Sequence, residues 1–185
     1  AVLVGRSGEA FAIRDASGSL SDVTNEGLIS AVGRTSDPTE ATPLDFTLVA
    51  IDASANTTGF TYTQQLREDS DPDDDIDPIA PRTTGDIRLG SGDDLIVASA
   101  GTIDGNIDFG GGQDTLTLSG GSAYTGLIET TGEVTLNVSD GSVLTLTEGQ
   151  PLSVADASFD STSSFNPTLN GGTGLASTLN ASGTV

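Results

Sequence analysis

The chain has 185 residues, 27 of them acidic against six basic ones, all arginine, for a formal net charge of −21; it contains no cysteine, methionine, tryptophan or histidine. This composition excludes a disulfide framework, a thiolate metal site and a histidine general base. A polyanionic surface is repelled by nucleic acid and by anionic membrane, so the expected charged partners are cations or basic proteins.

The charge is unevenly spread: residues 1–88 hold 16 acids and every arginine, whereas residues 89–185 hold 11 acids and no base. No apolar run approaches the roughly 20 residues of a membrane-spanning helix. No charged-then-apolar leader opens the chain, so an export signal is expected upstream or already removed. Apolar residues recur at regular spacing, which disorder of the whole chain does not explain.

In chain order, the first periodic element is AIRDASGSL (12–20), echoed by AIDASANTTG (50–59) at an offset of 38 for the isoleucines. If the period is near 20, that offset corresponds to two turns of a repeat. VTNEGLISAVG (23–33) alternates apolar positions Val23, Leu28 or Ile29, and Ala31 around a glycine corner. DPTEATP (37–43) reads as a short excursion. REDSDPDDDIDPIAPR (67–82), with its prolines and acids, cannot be a central strand and is expected to be a solvated loop leaving between two rungs.

The clearest repeat follows. DIRLGSGDDLIVAS (86–99), NIDFGGGQDTLTLS (106–119) and GLIETTGEVTLNVS (126–139) stack at a constant offset of 20. Ile87, Ile107 and Leu127 form one column, Gly92, Gly112 and Gly132 a second, and Ile96, Leu116 and Leu136 a third. Alternation within each segment has period two, the mark of strands with one buried face. After residue 140 the beat continues through SVLTLTEGQPLSV. In the tail Phe159, Phe165, Leu169, Leu175 and Leu179 are expected inside.

A period of 20 with short strands and glycine corners predicts an all-β fold, a right-handed parallel β-helix running as one elongated domain over residues 1–185. Roughly nine coils at about 4.8 Å per rung would make a rod about 40 Å long.

Two stretches have the residue types of a cation site. Gly90, Gly92, Asp94 and Ile96, then Gly110, Gly112, Asp114 and Leu116, are similar to the glycine-aspartate nonapeptide of repeats-in-toxin proteins. Both copies lack the first glycine, and the next rung has Val134 in the aspartate's place. The resemblance implies calcium held by Asp94 and Asp114, with Asp93 flanking. An aspartate beside glycine is equally what a tight, exposed corner selects. Stacked one rung apart, the two carboxylates would repel unless a hard cation bridged them. Asp71, Asp73 and Asp75 resemble the opening of a helix-loop-helix calcium site, but Ile76 and Arg82 stand where its glycine and closing glutamate belong. No cofactor is required by any of these patterns.

FAIRDASGSLSDVTNEGLISAVG, VAIDASANTTGFTYTQQL and the two glycine-aspartate rungs together resemble the passenger region of a bacterial autotransporter (type V secretion). That resemblance implies a surface-displayed or secreted β-helix acting as stalk, adhesin or interaction module. It further implies an outer-membrane β-barrel C-terminal to it and a protein or glycan partner. The chain is then expected to be a segment of a longer passenger. A calcium-dependent binding module is one rival. A β-helical carbohydrate enzyme using Arg88 near Asp86 and Asp108 is another, although no nucleophile–base pair is legible in the sequence.

Overall fold

The computed structural model describes residues 7–31, 45–69, 78–147 and 151–183. Among the described residues there are 19 strands and no helix. They come in threes. The first rung is β1 (Ser7–Arg14), β2 (Asp22–Asn25) and β3 (Leu28–Ser30), and the second is β4 (Asp45–Asp52), β5 (Thr61–Gln64) and β6 (Arg82–Thr84). The third is β7 (Asp86–Arg88), β8 (Leu95–Ala98) and β9 (Thr102–Asp104). The fourth is β10 (Ile107–Asp108), β11 (Gln113–Leu118) and β12 (Ala123–Gly126), and the fifth is β13 (Ile128–Glu129), β14 (Glu133–Val138) and β15 (Val143–Leu146). Then come β16 (Pro151–Val154), β17 (Asp156–Phe159), β18 (Ser164–Pro167) and β19 (Thr178–Ala181).

Successive strands visit three sheets in rotation. One sheet has the order β1-β4-β7-β10-β13, the second β2-β5-β8-β11-β14-β17, the third β3-β6-β9-β12-β15-β18, and β16 pairs with β19 apart from them. Every strand pairing is parallel, as between β8 and β11 and between β12 and β15. The registers stack like on like. Ile13, Ile51, Ile87, Ile107 and Ile128 form a single column. Beside it run Tyr62, Ile96, Leu116, Leu136 and Ala157 in the second sheet. Thr83, Ile103, Tyr124, Leu144 and Phe165 follow in the third. Alternation puts these side chains inside, and one apolar cluster extends from Ala50 to Ala157. Each buried isoleucine or leucine contributes about 1.5–3 kcal/mol relative to exposure.

The number of rungs differs from the nine expected. The second sheet counts six strands, about 24 Å across at the usual strand spacing. The 38-residue echo is a single step, because Ile13 pairs directly with Ile51 and Arg14 with Asp52. The first rung is long because residues 31–44 separate β3 from β4, and the second because residues 65–81 separate β5 from β6. The acidic segment lies between β5 and β6, and Arg82 is the first residue of β6. Residues 37–43 lie outside the described residues, as do Asp71, Asp73 and Asp75.

A second correction concerns Leu127. Ile107 pairs with Ile128, not Leu127. The corner Ser119–Gly120–Gly121–Ser122 is one residue longer than Ser99–Ala100–Gly101, so β12 meets β9 at an offset of 21. The following corner, residues 130–132, is one residue shorter than its counterpart at 109–112, and β14 returns to an offset of 20. A one-residue slip exchanges the two faces, which places Ile128 inside.

The tail is mixed. Phe159, Phe165 and Leu179 pack on the core, the two rings 6.1 Å apart. Leu169 and Leu175 are exposed, contrary to expectation, because they flank the turn closed by the Leu169–Ala176 bridge.

Candidate functional site

The glycine column of the sequence is steric in origin. A Cβ at Gly112 would be driven into the Gly92 carbonyl, one at Gly132 into the Gly112 carbonyl, and one at Gly92 into the Gly59 backbone. Corners of adjacent rungs approach so closely here that only hydrogen fits. The columns extend one rung further than the repeat suggested, through Gly59 and through Asn56, which lies against Gly90.

Asp94 and Asp114 stand just inside this corner. One residue before the paired strands, hydrogen bonds align Phe60, Asp94 and Asp114 in a column that Val134 continues as the register partner of Asp114. Neither carboxyl is at the surface: each residue is 2 % exposed. The expectation of exposed corner aspartates is thus overturned. Asp94 is two residues before Ile96, and Asp114 two before Leu116, so the pleat that buries the apolar residues buries the acids with them.

Each carboxyl serves the rung next to it. Asp94 Oδ1 accepts a hydrogen bond from the Phe60 N–H at 2.7 Å, and Asp114 Oδ1 accepts one from the Asp94 N–H at 2.9 Å. The ladder proper begins one residue later, where Leu95 N–H meets the Phe60 carbonyl and Thr115 N–H the Asp94 carbonyl. The side chains therefore satisfy the last amides that the sheet leaves over. The other oxygens, Oδ2 of both residues, are buried and without a hydrogen-bond partner. Burial pushes the Asp94 carboxyl above the ordinary carboxylate range, and pushes that of Asp114 up to about 6, with the negative charge of Asp94 adding to it. Asp93 faces outward and accepts from the Gln113 N–H at 2.9 Å.

The side-chain oxygens by themselves do not complete a calcium shell. Calcium takes six to eight oxygens, whereas the column offers two Oδ2 atoms between Phe60 and Val134. No cluster of three or more acidic side chains suited to a metal occurs among the described residues.

Arg88 stands beside Asp108 and Asp52 in the strand register, and the charge of Asp86 acts on it as well. Its Nη1 lies 2.8 Å from Glu9 Oε1, two rungs away, and that hydrogen bond raises the guanidinium pKa further. Asp86 Oδ1 accepts from the Asn106 N–H at 2.9 Å, and Asn106 Oδ1 accepts from the Leu127 N–H at 3.0 Å.

One polar cluster was not anticipated. Asn25, Tyr62, Gln64 and Thr83 are buried together where β2, β5 and β6 meet. Asn25 Nδ2 lies 3.1 Å from Gln64 Oε1 and 3.2 Å from both Tyr62 Oη and Thr83 Oγ1. Thr83 Oγ1 donates to Gln64 Oε1 at 2.8 Å, and Gln64 Nε2 donates to the carbonyls of Ala100 and Thr102 at 3.0 and 3.2 Å. The run Thr61-Tyr62-Thr63-Gln64 carried a signal, since alternation puts Tyr62 and Gln64 on one face. The partners come from 19 to 39 residues away and left no local trace.

Comparisons with protein-family models, with curated proteins and with solved structures find no match.

Proposed function

We propose that the chain is a right-handed parallel β-helix that works without catalysis, as a stalk or interaction module displayed on or released from a cell surface. The observation that carries this reading is the rotation of successive strands through three parallel sheets with like residues in register. A crossover between parallel strands of one sheet is right-handed in about 98% of cases. Stacked rungs with a continuous core make a stiff support, and long segments inserted between strands can change without disturbing it. The acidic segment 67–82 is the first place to seek a contact with a protein or glycan partner. Its charge favours a basic surface and disfavours nucleic acid. The reading includes carriage by an outer-membrane β-barrel in the same polypeptide.

The test is accessibility. In intact source cells, an antibody to this chain should label the surface, or the chain should be recovered from the medium. Signal only after lysis would end the proposal. Far-UV circular dichroism dominated by helix or coil would end the fold on which it rests.

A further inference from the structure

The glycine-aspartate corners resemble calcium turns, yet their two inward carboxyls are arranged for a different ligand. We propose that Asp94 and Asp114 form a buried proton-binding pair that tightens the third and fourth rungs in acid and loosens them as the pH rises towards neutral.

The geometry supplies the reason. Ionised, the two groups carry like charges on adjacent rungs of an otherwise apolar column, each with one oxygen that nothing solvates. Protonated, each keeps Oδ1 as the acceptor for the Phe60 or Asp94 N–H, while Oδ2, the unpartnered atom, takes the proton. The first proton relieves the repulsion and the second removes the remaining cost of burying charge. Among the described residues no cation acts on either carboxyl. Asp93, on the same corner, is of like sign. Phe60, just before β5, and Val134 of β14 flank the pair in the column, and among the described residues only Asp93 and Asp94 act on the two carboxyls as charges. Arg14, Arg82 and Arg88 are engaged by Asp52, Asp104 and Glu9.

The direction follows from linkage. Both carboxyls hold their protons more tightly in the folded chain than in the unfolded one. The stability they contribute is complete below the ordinary aspartate value of 3.8 and is lost as the pH rises through about 6, where Asp114 titrates.

The experiment is thermal unfolding of the full chain from about pH 4 to about pH 8 at constant ionic strength. Three proteins are compared: wild type, Asp94→Asn/Asp114→Asn, and Glu129→Gln/Glu133→Gln. The last makes the same charge change on exposed side chains and controls for the general repulsion of a −21 chain. Wild type and control should lose roughly 5–10 °C more in Tm across this range than the Asn pair. The Asn pair should also melt above wild type at neutral pH. Carbon-13 titration of the two carboxyls gives a readout independent of unfolding, with the Asp114 midpoint well above 3.8. Equal slopes for wild type and the Asn pair would overturn the proposal, as would ordinary midpoints for both carboxyls. A calcium-dependent rise in Tm in wild type that the Asn pair lacks would overturn it in favour of a cation.

Discussion

The first two rungs and the next three are built on the same sheets but hold together differently. From the third rung to the fifth, equivalent residues recur every 20 or 21 positions, and Ile87, Ile96, Ile103, Ile107, Leu116, Tyr124, Leu136 and Leu144 fill the interior. In the first two the isoleucine column of the first sheet steps by 38 and then 36. The interior there includes the Asn25–Tyr62–Gln64–Thr83 cluster, and polar side chains do in part what stacked aliphatics do elsewhere. Uniform rungs define their own register, because each apolar residue lands on its like. Rungs interrupted by long segments lose that guide, and directional hydrogen bonds between specific partners can replace it.

The largest break in this comparison is expected at Leu116→Ala, which opens a cavity in the regular rungs and should cost about 2–5 kcal/mol in urea unfolding. Gln64→Leu tests the other region. It strips hydrogen bonds from Asn25, Thr83 and the Ala100 carbonyl, all buried together, and should cost about 1–3 kcal/mol in the same measurement. If Gln64→Leu is neutral, the polar cluster does not substitute for apolar packing.

A smaller effect separates the regions by sign of pH response. Hydrogen bonds from Ser17 and from the Leu20 N–H hold the Asp15 carboxyl down at about 2, so what it contributes is present above 3.8 and lost as the pH falls through about 2. Hydrogen exchange at the Leu20 amide, corrected for intrinsic rate, should therefore quicken in strong acid, when amides around Asp94 and Asp114 are best protected. Glu9→Gln should do least. It removes the charge of a surface ion pair with Arg88 and is expected to stay within about 1 kcal/mol, an effect that added salt abolishes.

Several of these features were readable before any coordinates. The glycine column was right in position, and so were the Ile87–Ile107 pairing, the 38-residue echo of Ile13 by Ile51, and the inward phase of Ile96 and Leu116. The burial of Asp94 was legible too, since it shares a face with Ile96 and Ala98. The preference of aspartate beside glycine for exposed corners points the other way from the alternation, and here the alternation wins. The rung count was not legible, because one rung with an insertion and two short rungs have nearly the same length in sequence. The slip at Ile128 was hidden for a related reason: a residue gained at Gly120–Gly121 is repaid at residues 130–132, so the overall offset of 20 between Gln113 and Glu133 conceals it.

Sequence alone determined the period, the strand character and which residues each pleat sends inward. These depend on steric size, glycine's missing Cβ and a two-residue alternation, all local to a few positions. Tertiary structure decided how many rungs the chain makes, and which polar residues meet at Asn25 and Gln64. It also decided that two aspartates stack unsolvated between Phe60 and Val134. Those outcomes depend on the closing of loops of unequal length and on contacts between residues 19 to 58 positions apart, which no short window of sequence contains.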